Sequence, residues 1–273
     1  MKKLKIGIVG CGAIGSSLAA AVKREFSGAA VLSALYDIDP ARSAGLCAKL
    51  RCKKSLAAPS LDRLISASGL VIESAHASSS LKIALKAVSR GKDVMIMSVG
   101  GVVGGFPKLY RAAQKNGARI YIPSGAIAGI DALKAAKLGR IEKVTLTSRK
   151  NPRAFSGVKY ILDKKIDLSK IKKDTVLFSG NALAAMRNFP QNVNVAGVLS
   201  LAGIGPEKTR VEVVASPSAS RNIHEIRIEG SAGSVFTRTE NVLHPDNPKT
   251  SYLAVLSAMA ALGQILRSAR IGS

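Results

Sequence analysis

The sequence of 273 residues predicts an α/β protein in two parts, a doubly wound parallel sheet followed by an α+β domain with a mixed or antiparallel sheet. The first part is predicted because short apolar runs alternate with segments of helical periodicity, which is the pattern of parallel strands joined by helices. The second is predicted because polar and apolar residues then alternate singly, which is typical of strands with one solvated face. A hydrophobic fraction of 47% supplies both parts with cores.

The parallel strands of the first part are predicted from five apolar runs, at residues 4–9, 30–36, 70–74, 94–99 and 120–122. Helices are expected between them. Asp39 and Pro40 have the residue types that begin a helix after the second run. Asn116 and Gly117 would end the helix that precedes the fifth run.

The second part is predicted to contain four strands and two helices, followed by a final apolar helix over residues 251–267. The strands are expected at residues 141–148, 209–214, 223–228 and 235–239, and the helices near 181–188 and 193–202. Residues 152–173 are basic and irregular, which indicates a surface excursion. The expected domains are therefore residues 1–125 and 126–248, with a C-terminal helical segment at 249–273.

The clearest functional signal is the G-x-G-x-x-G motif, Gly10-Cys11-Gly12-Ala13-Ile14-Gly15, between the first strand and the first helix. In this context the three glycines permit a tight turn, a close approach of the backbone to a pyrophosphate, and close helix–strand packing. The helix N-terminus would offer N–H groups and partial positive charge to the phosphates. We therefore expect a dinucleotide-binding Rossmann domain in which Gly10, Gly12, Ala13, Ile14 and Gly15 contact the cofactor.

Asp37, directly after the second strand, indicates which dinucleotide is bound. A carboxylate at this position accepts hydrogen bonds from the ribose hydroxyls and repels a 2′-phosphate, so NAD is predicted to be preferred over NADP. Arg42 lies close enough in the sequence to soften this preference, and we therefore also allow for NADP.

The charge balance is strongly basic, with 41 Lys and Arg against 17 Asp and Glu and a net charge of +24. Such a charge is the electrostatic footprint of a nucleic-acid-binding protein. The basic residues are scattered along the chain, however, without interleaved aromatic residues or zinc-finger spacing. We do not expect nucleic acid as a main partner, and a solvated basic surface that attracts anionic ligands is the preferred interpretation.

Cys11, Cys47 and Cys52 have neither metal-ligand spacing nor the even number of a disulfide framework. Free thiols in a reducing compartment, with no bound metal, are expected. The apolar run before Cys11 is shorter than a signal peptide requires, and no later stretch is long and apolar enough to span a membrane. The expected location is the cytoplasm, with no membrane partner.

Proton transfers that accompany hydride transfer need a group with a pKa near neutrality, and histidine is the usual choice. The chain has three histidines, His76, His224 and His244. Alternation places His224 on the same strand face as Ile226 and Ile228, so catalysis and a satisfied core position both remain open for it. His76 is the second candidate because it follows a strand on the cofactor side, and His244 is expected in a loop.

Six segments together resemble the L-aspartate dehydrogenase family, and they occur in family order over nearly the whole chain. They are GCGAIG at 10–15, PSGAIAGID at 123–131, TSRK at 147–150, FPQNVNVA at 189–196, NIHEI at 222–226 and NPKTSY at 247–252. The first is common to many dehydrogenases, whereas the others are specific in combination.

The resemblance implies a Rossmann domain joined to a sheet domain like that of dihydrodipicolinate reductase, a homodimer, and a C-terminal helix that packs back on the first domain. It also implies oxidation of L-aspartate to iminoaspartate with NAD or NADP, and the reverse reductive amination. Iminoaspartate would hydrolyse to oxaloacetate and ammonia or pass to quinolinate synthesis, on the route to pyridine nucleotides. The position of His224 matches the family's catalytic histidine, and those of Ala126 and Asn194 match cofactor contacts.

A dicarboxylate substrate requires cations or N–H donors in its site. The candidates are Arg149 and Lys150, together with Lys249, Thr250 and Ser251 at the expected start of the last helix. Structural salt bridges are the alternative role for these residues.

Two other functions are weighed against this interpretation. A related reductase of the dihydrodipicolinate or homoserine type shares the domain plan, but the segments around Asn194 and His224 disfavour it. A non-catalytic dinucleotide-sensing or nucleic-acid-binding module is suggested by the charge and disfavoured by the intact segment around His224. His76, where a small or polar residue is expected, and the long basic stretch 159–173 depart from the family pattern.

Overall fold

The structure is a computed structural model that describes residues 2–189, 193–245 and 247–272. The chain forms two compact units. One comprises the residues up to Pro123 together with Val255–Ile271, and the other comprises Ser124–Ala254. No helix in the described part of the chain is long and apolar enough to cross a membrane.

The first unit is built on a five-stranded parallel sheet with helices between its strands, which confirms the predicted class. The strands are β1 (Leu4–Val9), β2 (Ala30–Tyr36), β3 (Leu70–Glu73), β4 (Asp93–Ile96) and β5 (Ile120–Tyr121), in the order β2-β1-β3-β4-β5. The helices are α1 (Ala13–Lys23), α2 (Pro40–Lys49), α3 (Leu61–Ala67), α4 (Ala77–Val88) and α5 (Phe106–Lys115). The strand order reverses between β1 and β3, and open α/β sheets bind ligands beyond the carboxyl ends of strands at such a point.

Three strands of this sheet are shorter than the sequence predicts. β3 ends at Glu73 instead of residue 74, β4 at Ile96 instead of residue 99, and β5 at Tyr121 instead of residue 122. Beyond β4 the backbone closes into 3-10 turns, so the ladder stops. The Ser98 hydroxyl then donates to the carbonyl of Ala75 (2.6 Å), which joins the ends of β3 and β4 through a side chain.

The second unit contains a five-stranded sheet of mixed direction, which also confirms the predicted class. Its strands are β6 (Ile141–Lys150), β7 (Thr175–Asn181), β8 (Arg210–Ala215), β9 (Asn222–Gly230) and β10 (Gly233–Asn241), in the order β10-β9-β6-β8-β7. β6 and β8 are parallel and the other neighbours are antiparallel. The helices are α6 (Ile130–Ala136), α7 (Lys159–Asp163), α8 (Ala182–Asn188) and α9 (Val193–Ala202). β7 falls outside the predicted strands.

The side chains of the central strands β6 and β9 divide strictly between the two faces of this sheet. On one face lie apolar residues with less than 2% exposure, among them Val144, Leu146, Ile226 and Ile228. The other face is more accessible, except at Ile223, which is also buried. His224 lies on the apolar face, as its alternation with Ile226 and Ile228 predicts.

The last helix, α10, covers Tyr252–Leu266, close to the predicted range. Ala258 and Leu262 of this helix are fully buried in the hydrophobic core that contains Ile6 and Ile8 of β1. Its apolar composition therefore serves the core of the first unit.

Two expectations about the approach to α10 are wrong. Residues 249–251 do not begin the helix but belong to strand β12 (Asn247–Ser251), which pairs with β11 (Leu243–His244). This pairing, and the bond from the N–H of Tyr252 to the carbonyl of Val242 (2.8 Å), keep the backbone extended up to the helix. His244 is likewise not in a loop: it is buried in β11, with its ring edge-on to Tyr252 at 5.5 Å.

Candidate active site

The loop between β1 and α1 has a geometry that only glycine can adopt at two of its positions. Gly10 has φ +90°, and a Cβ there would lie 2.4 Å from the carbonyl oxygen of Ser74. A Cβ at Gly15 would lie 1.9 Å from the carbonyl oxygen of Gly10. At Gly12, by contrast, a Cβ would meet nothing within 4 Å. The backbone is therefore packed tightly on its inner side and open at Gly12.

The N-terminus of α1 is suited to an anion. Gly12 is its N-cap and supplies no side-chain hydrogen bond, and the first turn carries no acidic residue. The N–H groups of the first turn thus retain their capacity to donate, and the helix dipole adds partial positive charge there. A diphosphate fits this open, uncapped end of the helix.

Asp37 is held against the same loop. Its Oδ2 accepts a hydrogen bond from the N–H of Cys11 (2.7 Å), and its Oδ1 accepts one from the N–H of Asp39 (3.0 Å). An ionised carboxylate has about four acceptor positions, so these two bonds leave capacity for ribose hydroxyls. Burial, together with Asp37 and Cys47, raises the pKa of the Cys11 thiol to about 12, which makes Cys11 an inert packing residue.

Glu73, at the end of β3, is a buried acid that the sequence analysis did not single out. Its carboxylate accepts hydrogen bonds from the N–H of Ala75 (2.9 Å), the hydroxyl of Ser80 (2.7 Å) and the N–H of Ser98 (3.1 Å). Burial raises its pKa above the ordinary value, and these bonds oppose that rise. Glu73 thus joins the carboxyl ends of β3 and β4. Its only signal in the sequence is that it is an acidic residue at the end of an apolar run.

His76 has a structural position in α4. It is exposed, it is the N-cap of this helix, and its Nδ1 lies 2.9 Å from the hydroxyl of Ser78. The structure therefore assigns His76, the second candidate for catalysis, the role of a helix N-cap.

His224 lies on β9 of the second unit's sheet and is buried, with 4% of its surface exposed. Its Nδ1 lies 2.9 Å from the hydroxyl of Ser148, which stands directly opposite on β6. Within the described residues its other ring nitrogen, Nε2, has no hydrogen-bond partner. Burial, and secondarily the charge of Lys150, lower the pKa of His224 to about 3, so the imidazole is neutral at physiological pH.

Lys150 lies on the same face of β6 as Ser148, two residues further along. It is 7% exposed, and burial lowers the pKa of its ammonium to about 8. Among the residues that the structure describes, no carboxylate forms an ion pair with it. Buried charges in proteins are normally paired, so an ammonium in this position is suited to an anionic ligand.

Arg149 lies on the opposite face from Lys150 and His224, because side chains alternate along β6. Its guanidinium donates to Glu225 (3.0 Å) and Asp174 (2.8 Å). These residues line a polar cleft of about 430 Å³ together with Arg238, which also pairs with Glu225. The structure therefore does not bring Arg149 together with His224.

The loop that contains Ala126 is tied to β10 by two side chains. The hydroxyl of Thr239 and the amide of Asn241 both donate to the carbonyl of Ala126, at 3.0 and 3.1 Å. Thr239 stands opposite His224 in the β9–β10 ladder, so Ala126 and His224 are joined by one strand within the second unit.

The remaining predicted residues are placed less directly. Asn194 lies, exposed, near the start of α9, and the Thr250 hydroxyl accepts a bond from Asn247 (3.1 Å). Ser251 ends β12. The side chain of Lys249 and residues 190–192 of the FPQNVNVA segment lie outside the described residues. Over the described ranges no group of three His, Cys, Asp or Glu is arranged to hold a metal ion.

Comparison with known proteins defines the class first. Residues 10–123 match the family described as the NAD binding domain of homoserine dehydrogenase, and residues 131–265 match the C-terminal domain of aspartate dehydrogenase. The crystal structure of aspartate dehydrogenase from Thermotoga maritima has the same fold, with a TM-score of 0.74 at 23% identity, covering 99% of this chain and 100% of that one. Fold and site thus define an NAD(P)-dependent dehydrogenase.

Full-length relatives then identify the family. The L-aspartate dehydrogenase of Methanosarcina mazei is 44% identical over 275 residues, covering 99% of this chain and 100% of the relative. That of Methanosarcina acetivorans is 45% identical over 274 residues, with the same coverage. The chain belongs to the L-aspartate dehydrogenase family.

Proposed function

We propose that this chain oxidises L-aspartate to iminoaspartate with NAD or NADP, and catalyses the reverse reductive amination. Iminoaspartate hydrolyses to oxaloacetate and ammonia, or passes to quinolinate synthesis. The observation that carries the proposal is a neutral, buried His224 near Lys150, which pairs with no carboxylate in the described part of the chain. The same chain has an open dinucleotide loop. The full-length relatives favour this reaction over a dihydrodipicolinate-type or homoserine-type reductase.

The cofactor is proposed to be held by residues of the glycine loop and by three others. Gly10, Gly12, Ala13, Ile14 and Gly15 would surround the diphosphate, Asp37 would bind the ribose, and Ala126 and Asn194 would complete the contacts. The open side of Gly12 and the uncapped N-terminus of α1 fit a diphosphate. Bound NAD or NADP supplies the acceptor for the hydride removed from the substrate. The Asp37 carboxylate favours NAD of the two.

His224 is proposed as the acid/base. Because its Nδ1 is engaged by Ser148, the ring exchanges protons through Nε2. A neutral imidazole can accept the proton that the substrate amine must lose. Once that proton has passed to solvent, the neutral ring can accept one from the water that attacks the imine carbon. Burial keeps the free ring neutral at physiological pH, and a substrate carboxylate bound to Lys150 would offset the charge that helps to lower its pKa, which favours proton uptake during the reaction.

Lys150 is proposed to bind a carboxylate of the substrate. A carboxylate that pairs with this ammonium compensates a charge that has no carboxylate partner among the described residues. It also holds the dicarboxylate on the face of the sheet that carries His224. Lys249, Thr250 and Ser251 are proposed as further substrate contacts. Arg149, the remaining candidate, is proposed to stabilise the fold instead, because two carboxylates already bind it.

The organisation of the protein is proposed to follow the family. The first unit would bind the dinucleotide, as expected for residues 1–125, and the second would bind substrate and form a homodimer, as expected for residues 126–248. The C-terminal segment 249–273 would serve the first domain. We propose a cytoplasmic enzyme without a nucleic-acid or membrane partner.

The test is the appearance of NADH absorbance on addition of L-aspartate to purified protein with NAD at alkaline pH. We expect activity with L-aspartate and none with L-glutamate. His224→Asn should reduce kcat by about 10²- to 10⁴-fold, the usual contribution of a positioned acid/base. His76→Asn is the matched control, because asparagine is also a good N-cap and should leave turnover unchanged. Absence of turnover in both directions in the unmodified protein would refute the proposed function.

A further inference from the structure

The polar side chain in contact with His224 is Ser148, whose hydroxyl lies 2.9 Å from Nδ1. We propose that Ser148 is the positioning residue of the active site, whose hydroxyl fixes the ring of His224 and leaves Nε2 for the proton transfers. This inference rests on the proposed function for its catalytic consequence, but the contact itself can be tested without turnover.

The contact is dictated by the sheet. Ser148 and His224 are direct partners in the antiparallel β6–β9 ladder, although 76 residues separate them in sequence. Both side chains point to the buried face, and Ser148 is completely buried. The 2.9 Å approach of Oγ to Nδ1 is therefore set by backbone register and close packing.

Burial makes this hydrogen bond difficult to replace. An exposed imidazole exchanges one partner for water at little cost, but a buried polar atom that loses its partner pays most of its desolvation free energy. The nearby charge is the Lys150 ammonium, a donor that cannot accept a bond from Nδ1–H. Within the described residues, Ser148 is thus the side chain that can satisfy Nδ1.

A hydroxyl is suited to this position because its oxygen can accept a hydrogen bond from the ring. When the ring is neutral with its proton on Nδ1, the hydroxyl oxygen accepts from Nδ1–H and Nε2 is available to take up a proton. When Nε2 has gained a proton, the ring carries one on each nitrogen and Nδ1–H still donates to the same oxygen. The contact is therefore maintained while Nε2 takes up and returns one proton, and no proton leaves Ser148 itself.

The test compares two substitutions of equal shape. Ser148→Thr and Ser148→Val each add branched bulk at Cβ, and the two side chains differ in the hydroxyl alone. We expect Ser148→Thr to retain kcat within about threefold and Ser148→Val to lose about 10- to 100-fold, less than removal of the acid/base itself. KM for L-aspartate and for NAD should change little in both. Thr147→Val, on the opposite face of β6, is the control and should leave kcat unchanged.

Equal kcat values for the folded Thr and Val variants would overturn the proposal. If both prove unstable, Ser148→Ala removes the hydroxyl without added bulk, and wild-type kcat in that variant would overturn it as well.

A second readout separates this inference from the proposed function. With three histidines in the chain, the ring nitrogen signals of His224 can be assigned by NMR with His224→Asn. We expect Ser148→Ala to shift the Nδ1 resonance of His224, and Thr147→Val to leave it in place. This holds whether or not L-aspartate is the substrate, and an unshifted resonance in Ser148→Ala would refute the positioning role.

Discussion

The two faces of strand β6 hold adjacent cations in opposite environments. Arg149 donates to Glu225 and Asp174 on the accessible face, where Arg238 extends the ion-pair network. Lys150, the next residue, is buried on the other face near His224 with no carboxylate beside it in the described part of the chain. A cation already neutralised by the protein stabilises the fold, whereas one without a carboxylate partner is available to a ligand.

The largest difference between Lys150 and Arg149 is expected in their effects on substrate affinity. Lys150→Met should raise KM for L-aspartate about 100-fold, since truncating one partner of a buried charge pair costs about 2–5 kcal/mol. Arg149→Met, the matched variant on the other face, should change KM less than about threefold because its charge is compensated by acids of the protein. Steady-state kinetics at saturating NAD provide the measurement, and equal effects of the two substitutions would refute the distinction.

Stability should change in the opposite sense. At pH 7, Lys150→Met should raise the free energy of unfolding by about 3 kcal/mol, the equivalent of lowering the lysine pKa from 10.5 to about 8. Arg149→Met should lower it by about 1–3 kcal/mol, because buried parts of Glu225 lose a charged partner.

The stability gained by Lys150→Met should depend on pH, and the direction follows from the lowered pKa of the lysine. Below about pH 8 the lysine is protonated in both the folded and the unfolded chain, and its burial cost is fully present. Between about pH 8 and 10.5 the folded chain releases the proton first, so the cost declines and the advantage of Met disappears. Urea denaturation at pH 7 and above pH 10.5 measures both limits, and a pH-independent gain would point to apolar packing instead.

Inhibition by a dicarboxylate that has no amine tests whether the charge of Lys150 binds a carboxylate. Succinate stays fully ionised over the alkaline range, so its inhibition constant against L-aspartate reports the charge of the site. It should rise about tenfold per pH unit above pH 8, as Lys150 loses its proton. Lys150→Arg, which keeps its charge throughout, should abolish this dependence. A flat profile in the unmodified enzyme would exclude Lys150 as the carboxylate partner.

Much of the fold could be predicted from local patterns. The glycine motif between a strand and a helix, and the alternation through Ile226 and Ile228, act over a few residues, and the structure confirms both arrangements. The start of α10 could not be predicted from residues 249–251 themselves. Their extended conformation depends on pairing with β11, and tertiary pairing overrides local helix signals.

The identity of each residue and the alternation of side chains along each strand follow from the sequence alone. From that alternation Arg149 and Lys150 had to point to opposite faces, and His224 had to share a face with apolar residues. Which face is buried, and that Ser148 stands opposite His224, could be known only from the folded chain. The same holds for the lack of an acid beside Lys150 among the described residues. The physical reason is register: the pairing of β6 with β9 joins residues 76 apart, and it is set by burial of whole sheet faces and not by any local signal.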